Sequence, residues 1–293
     1  MSFRTVGAPV SFESLRAIGE QGVHRAIRGE GAVTRVTAPI YWTVAPRYHR
    51  LQYSTDFDDD PAAADPFELH RIDPARIRRF TRRSYPPWRG RKRLFGTVMG
   101  GEWDTRPHTD APSDGGPPED LFYAERIEDG LLYRAIDARF RRGVPWRETQ
   151  FVERAIEYLE AGRERVWHDC STPADVLGRC DRLTEIYRSM EHNGCLSYRE
   201  RTPIRERDVG FLGSLGKEIA VDIGRDGELL LVSGKHRFCL SRALGLTEIP
   251  VCVLVRHRNW MGTRRDVRDA ETPEAIVPDL LDHPDLADLL DES

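Results

Sequence analysis

The chain has 293 residues, of which 39% are hydrophobic and 31% charged, with a formal net charge of −4 at pH 7. That length can bury a substantial core as one large domain or two modest ones, and the composition is that of an ordinary globular protein. The charge balance sets up no global field that would draw the whole molecule to nucleic acid. No apolar run reaches about 18 residues, which excludes a membrane-spanning helix and a membrane partner. The N-terminal MSFRTVGAPVSFESLR lacks the basic segment and apolar stretch of a secretory signal, so the cytoplasm is the expected location.

In chain order, Phe12–Arg28 reads as a short helix. Residues 33–53, rich in Val, Thr, Tyr and Trp, read as strand. The acidic, proline-bearing stretch 56–66 reads as a solvated linker. Residues 67–82 give a short strand and turn, followed by an Arg/Pro-rich loop at 82–93 and a strand at 94–104. A mobile loop dense in Pro, Gly, Asp and Ser covers 105–119.

From Leu121 to about Met190 the period becomes helical. Leu131, Leu132, Ala135, Ile136 and Phe140 form an amphipathic stripe that Gly143 ends, and Phe151, Ala155, Ile156 and Leu159 continue it. Ser171-Thr172-Pro173-Ala174-Asp175 reads as a capped helix start. Residues 216–258 change again: strand Ile219–Ile223, a turn at Arg225-Asp226-Gly227, strand Glu228–Val232, a short helix His236–Leu244 stopped by Gly245, and strand Ile249–Val255. The last strand is a nearly continuous apolar run, which predicts cover on both faces. The tail after Asp269 is acidic, with a last short helix at Asp285–Leu290.

Three residue classes bear on chemistry. Only Lys92, Lys217 and Lys235 are lysines, the other 41 basic residues being arginine, so a lysine inside a turn draws attention. The five cysteines (Cys170, Cys180, Cys195, Cys239 and Cys252) are an odd number in a chain without an export signal, which argues for reduced thiols. His168, Cys170, Cys180, His192 and Cys195 cluster in sequence but contain no CxxC pair, and no metal site is expected. Trp103 and Trp146 read as core anchors. The third class is the strand–turn–helix junction Ser233-Gly234-Lys235-His236-Arg237. The first turn of a helix presents unpaired N–H groups and the positive end of the helix dipole, and glycine admits a ligand close to the backbone. Lys235, His236 and Arg237 add donors, so a phosphate is the natural ligand.

The stretch VDIGRDGELLLVSGKHRFCLSRALGLTEIPVCVLVRH resembles the ParB/sulfiredoxin superfamily, in which a D-G-x-h-h-h-h-x-G-x-[HR]-R segment precedes A-x-x-L-G-h-x-x-I-P-h (h apolar). The likeness is close over about forty residues. The resemblance implies an α/β (α+β) fold with a ParB/sulfiredoxin-like core, a helical insertion and an N-terminal extension. The boundaries expected are an extension and linker at 1–66, a first part of the core at 67–119, a helical segment at 120–204, the nucleotide-binding module at 205–262 and an acidic tail at 263–293. It also implies a nucleotide ligand (ATP, ADP or CTP), with Gly234, His236 and Arg237 as phosphate contacts; together with Ser233 and Lys235 of the same turn they are the expected cofactor-binding residues. Phosphotransfer to an unknown small-molecule or protein acceptor, or NTP hydrolysis, is the implied reaction.

The reactive cysteine of sulfiredoxins is replaced here by Lys235, which argues against sulfinic-acid repair. Too few residues follow the module for the helix-turn-helix domain of partition proteins, which argues against DNA partition. Glu218 and Asp222 are the acidic residues nearest the turn, four apart on one strand and thus on one face. Alternation puts Ile219, Val221 and Ile223 inward and leaves the two carboxylates on an open face as catalytic candidates, with Asp222 sharing Mg²⁺ with the nucleotide if a divalent metal is used. The alternatives are a DNA-associated regulator or nuclease using the arginines at 76–93, and a non-catalytic scaffold.

Overall fold

The computed structural model describes residues 32–52, 60–111, 113, 116–272 and 275–290. Its frame is a six-stranded mixed sheet built from β1 (Leu69–Ile72), β2 (Arg79–Phe80), β3 (Thr97–Met99), β4 (Ile219–Ile223), β5 (Leu229–Ser233) and β6 (Ile249–His257). The order is β1–β6–β4–β5–β2, with β3 pairing parallel to the far end of β6. Hairpin β4–β5 is antiparallel, β4 and β6 run parallel, and β1 lies antiparallel on β6.

The helices are α1 (Ala32–Gln52), α2 (Glu119–Phe122), α3 (Leu131–Arg142), α4 (Gln150–Glu160), α5 (Pro173–Asn193), α6 (Tyr198–Arg201), α7 (Phe211–Leu215), α8 (Lys235–Leu244), α9 (Arg258–Arg268), α10 (Pro278–Leu281) and α11 (Ala287–Leu290). Among the described residues no helix is long and apolar enough to cross a membrane.

Two apolar clusters sandwich the sheet. Ile219, Val221, Ile223, Val251 and Val253 face α3, α4, α5 and α8 in the larger one. Ala220, Leu230, Cys252 and Leu254 face Trp42, Phe67, Phe95, Trp103 and Phe211 in the other. Every residue of β6 is buried, as a strand covered on both faces requires. Helix α5 starts at the expected cap: Asp175 N–H donates to Thr172 Oγ1 (3.2 Å), and the Asp175 carboxylate accepts from Thr172 N–H (2.9 Å). The expected hairpin turn is present as well, with Gly227 N–H donating to Gly224 O (3.1 Å).

Several local expectations are corrected. Residues 33–53 were expected as strand, yet Ala32–Gln52 is α1. Ala38, Trp42, Ala45 and His49 recur at helical spacing and are all buried, and Tyr41 Oη accepts from Phe211 N–H (2.9 Å). Burial of that stripe overrides the β preference of the Val, Thr and aromatic residues around it. Of the expected linker 56–66, the described part is packed: Ala62 is fully buried, and Asp60 pairs with Arg265 at 2.8 Å. The strand expected at 94–104 shrinks to β3, because Trp103 folds back into the core and donates to Met99 O (3.3 Å). The acidic tail contributes Asp285 and Leu286 to the interior. The helix expected at Phe12–Arg28 lies outside the described residues.

Candidate functional site

Strand β5 ends at Ser233, and the chain must turn at once into α8. Gly234 makes that turn at φ +81°, where an added Cβ would lie 2.8 Å from Ile219 Cα, so only glycine fits. Helix α8 therefore begins at Lys235 with its first-turn amides lacking intrahelical partners. Ser233 Oγ accepts from Arg91 Nη1 (3.0 Å), which ties the turn to the loop before β3.

The Lys235 ammonium lies 4.6 Å from the ring centre of Trp88 and 4.4 Å from those of Phe122 and Tyr123. Its amine has no hydrogen-bond acceptor among the described residues. Burial pushes its pKa down to about 7, while Glu119 pulls the other way. The three ring faces also favour the cation. Beside it, Trp167 Nε1–H donates to His236 Nε2 (3.0 Å), which places the imidazole proton on Nδ1. Burial, with Lys235 and His168 nearby, holds His236 well below the ordinary histidine range, so it is a neutral imidazole.

Two cavities meet at this turn. The larger, about 520 Å³, is lined by Trp88, Phe122 and Trp167 and by the cations Arg91, Arg165 and Lys235, with no carboxylate among the described residues of its wall. The smaller, about 420 Å³, lies on the far side of Gly234 and His236, with Arg91, Arg201, Lys217, Glu218 and Arg237 on its wall. Arg91, Gly234 and His236 line both. A small anion with an attached ring system fits the first, and a second ligand can approach the same turn through the other.

The expected site residues thus divide. Ser233, Gly234, Lys235 and His236 line the larger cavity. Arg237 faces the smaller one and donates to Leu196 O (3.1 Å) and Lys217 O (2.5 Å), with Glu218 Oε2 at 3.5 Å. Those contacts tie α8 to the segments before β4. Arg237→Ala is therefore expected to lower the stability of the ligand-free protein by about 1–3 kcal/mol, read from urea melts. A variant as stable as the wild type would refute that structural role.

Glu218 lines the smaller cavity although it is almost fully buried, accepting from Tyr198 N–H (2.6 Å). Burial raises its pKa, with Arg237 opposing. Asp222 does not reach either cavity, which corrects the expectation that both carboxylates occupy an open face. The alternation along β4 is as read, but the second face is covered by the other apolar cluster. There Asp222, fully buried, accepts from Arg83 Nε (2.6 Å), Arg83 Nη2 (3.3 Å) and Val255 N–H (3.2 Å). It is a structural ion-pair partner.

Trp88, Arg91, Phe122, Tyr123, Trp167 and His168 complete the site without having been singled out for it. In the sequence, Arg91 stands out only among the loop arginines at 76–93 and His168 only in the His/Cys cluster. All five cysteines are unpaired with one another and buried, and Cys239 is pushed up to about 12 by burial, an unreactive core thiol. No family model, curated protein or solved structure matches the chain.

Proposed function

We propose that the chain binds a nucleotide, ATP, ADP or CTP, through its phosphates at the Ser233–Arg237 turn, on a core of the ParB/sulfiredoxin kind, and acts in phosphotransfer or NTP hydrolysis. The observation that carries this reading is the Lys235 ammonium: buried, without an acceptor among the described residues, and opening on a cavity whose described wall has two arginines and no carboxylate. An uncompensated buried cation is costly, and an incoming phosphate removes the cost. A module that had lost its ligand would gain stability by losing that charge, which argues against the scaffold reading. Trp88, Phe122 and Trp167 offer flat faces for a base.

The acceptor, a small molecule or a protein side chain, would enter the smaller cavity. Glu218, its pKa raised by burial, is the carboxylate on that wall that would orient an attacking hydroxyl, through Oε2, which has only a 3.5 Å contact with Arg237. The residues do not fit a protein-held Mg²⁺. Both oxygens of Asp222 are taken, and no group of three or more His, Cys, Asp or Glu converges among the described residues. A divalent ion would arrive on the phosphates rather than on the protein. The DNA reading loses support because Arg79, Arg82 and Arg83 of the 76–93 segment hold Glu228, Glu125 and Asp222.

ATP, ADP and CTP are to be compared by thermal melting. At 100-fold excess over Kd a ligand specific to the native state adds about 2.7 kcal/mol, a rise of several degrees. No shift with any of the three at millimolar concentration would sink the proposal.

A further inference from the structure

We propose that Lys235 is also a reactive amine that captures anionic carbonyl compounds as a Schiff base, phosphorylated aldehydes being the class the cavity fits. This rests on the same cavity holding an anion but not on the anion being a nucleotide.

Among the described residues the amine of Lys235 has no hydrogen-bond partner, and it lies 4.4–4.6 Å from the ring centres of Trp88, Phe122 and Tyr123. The residue nonetheless lines a cavity of about 520 Å³, ample for a phosphorylated aromatic or sugar-sized aldehyde. Arg91 and Arg165, with the first-turn amides of α8, supply an anchor for the anionic end. His236 is neutral with its proton on Nδ1, the His168 ring centre is 5.9 Å from it, and both imidazoles line the same cavity as Lys235. Desolvation favours the unprotonated amine, with the Glu119 carboxylate and the ring faces opposing. An exposed lysine titrates near 10.4 and is almost wholly protonated at neutral pH.

The chemistry balances without a redox partner. The amine lone pair adds to the carbonyl carbon, and the carbonyl π pair moves to oxygen, which takes a proton. The carbinolamine then expels that oxygen as water as the nitrogen loses its proton, leaving a C=N bond. A neighbouring imidazole can carry the proton.

The probe is pyridoxal 5′-phosphate at pH 8, with pyridoxal as the phosphate-free control. Borohydride reduces any imine to a stable secondary amine, which peptide mapping then locates. The chain has only three lysines, so Lys92 and Lys217 serve as internal references. Lys235 is expected to be labelled at least tenfold faster than Lys92 by the phosphate ester, and inorganic pyrophosphate should protect Lys235 alone. Lys235→Arg, checked by circular dichroism, should remove only that label. Equal labelling of Lys235 and Lys92, or no label at Lys235, overturns the proposal; a persisting melting shift with ATP would then leave the nucleotide reading standing. Pyridoxal reacting at Lys235 as fast as its phosphate overturns the anionic class. Selective, pyrophosphate-protected labelling without any nucleotide shift upholds the proposal and sinks the nucleotide instead.

Discussion

Asp285→Ala is expected to cost about 3–5 kcal/mol of folding stability, the range for removing one partner of a buried ion pair. Asp285 is 1% exposed and accepts from Arg256 Nε (3.0 Å) and Trp260 Nε1–H (2.8 Å), with Arg264 Nη1 at 3.5 Å. Arg256 and Arg264 are themselves buried, so the variant leaves them short of countercharge. The neighbouring Asp288 is about one-third exposed, and Asp288→Ala should cost clearly less. Burial by itself would raise the Asp285 pKa, but Arg256 and then Arg264 override it and hold the carboxyl well below the usual carboxylate range. A depressed folded-state pKa means the contribution is complete above the unfolded value of about 3.9 and is lost as pH falls through and below it. The stability gap between wild type and variant should therefore close in acid. Urea melts at pH 7 and at pH 3 measure both effects, and a loss under about 1 kcal/mol at pH 7 would refute the assignment.

Lys235→Met should move stability and binding in opposite directions. Methionine fills similar space, suits the three ring faces and removes an ammonium whose burial costs free energy. After the ring faces are set against desolvation, the ligand-free variant should gain about 1–3 kcal/mol at pH 7. Loss of a charge-assisted phosphate contact should weaken nucleotide binding about tenfold to a hundredfold. Below a folded pKa of about 7 the wild type carries the full penalty. Between that value and an unfolded pKa near 10.4 the unfolded chain holds the extra proton, so wild-type stability rises with pH and the variant's advantage shrinks. Calorimetric titration and melts at pH 7 and 9 test this. A variant that melts lower than the wild type at pH 7 would show that the ammonium is a structural anchor.

Legibility followed the range of the signals. Residues 216–258 were readable because the hairpin turn, Gly234, Gly245 and the apolar run at 249 are local features. Ile219–Ile223 was placed to the residue, and β5 shifted by one. Helix α1 is not legible from composition, since the Val, Thr and aromatic content of 33–53 favours strand and only the spacing of Ala38, Trp42, Ala45 and His49 points to a helix. Asp222 was misjudged because alternation assigns a face but cannot say whether a second layer covers it. The rings around Lys235 come from segments far away in the chain, each with no mark of its purpose until the fold assembles them. At Arg237 the motif position points to a ligand, and the fold adds what the sequence does not show: bonds to two carbonyl oxygens on the wall of the smaller cavity.

The position of β6 dictates the order in which the molecule can assemble on the ribosome. A nascent chain that stops at residue 248 already holds five of the six described strands, yet of the ladders among the described residues it can form just β2–β5 and β4–β5. Strands β1 and β3 must wait for β6, which alone pairs with both. Closing so long an interval is slow, and truncated products would leave β1 and the β6-facing edge of β4 unpaired in the meantime. Synthesis intermediates and premature-stop fragments should accordingly be chaperone clients and targets of proteolysis, whereas the finished chain completes its sheet when β6 joins β1, β3 and β4.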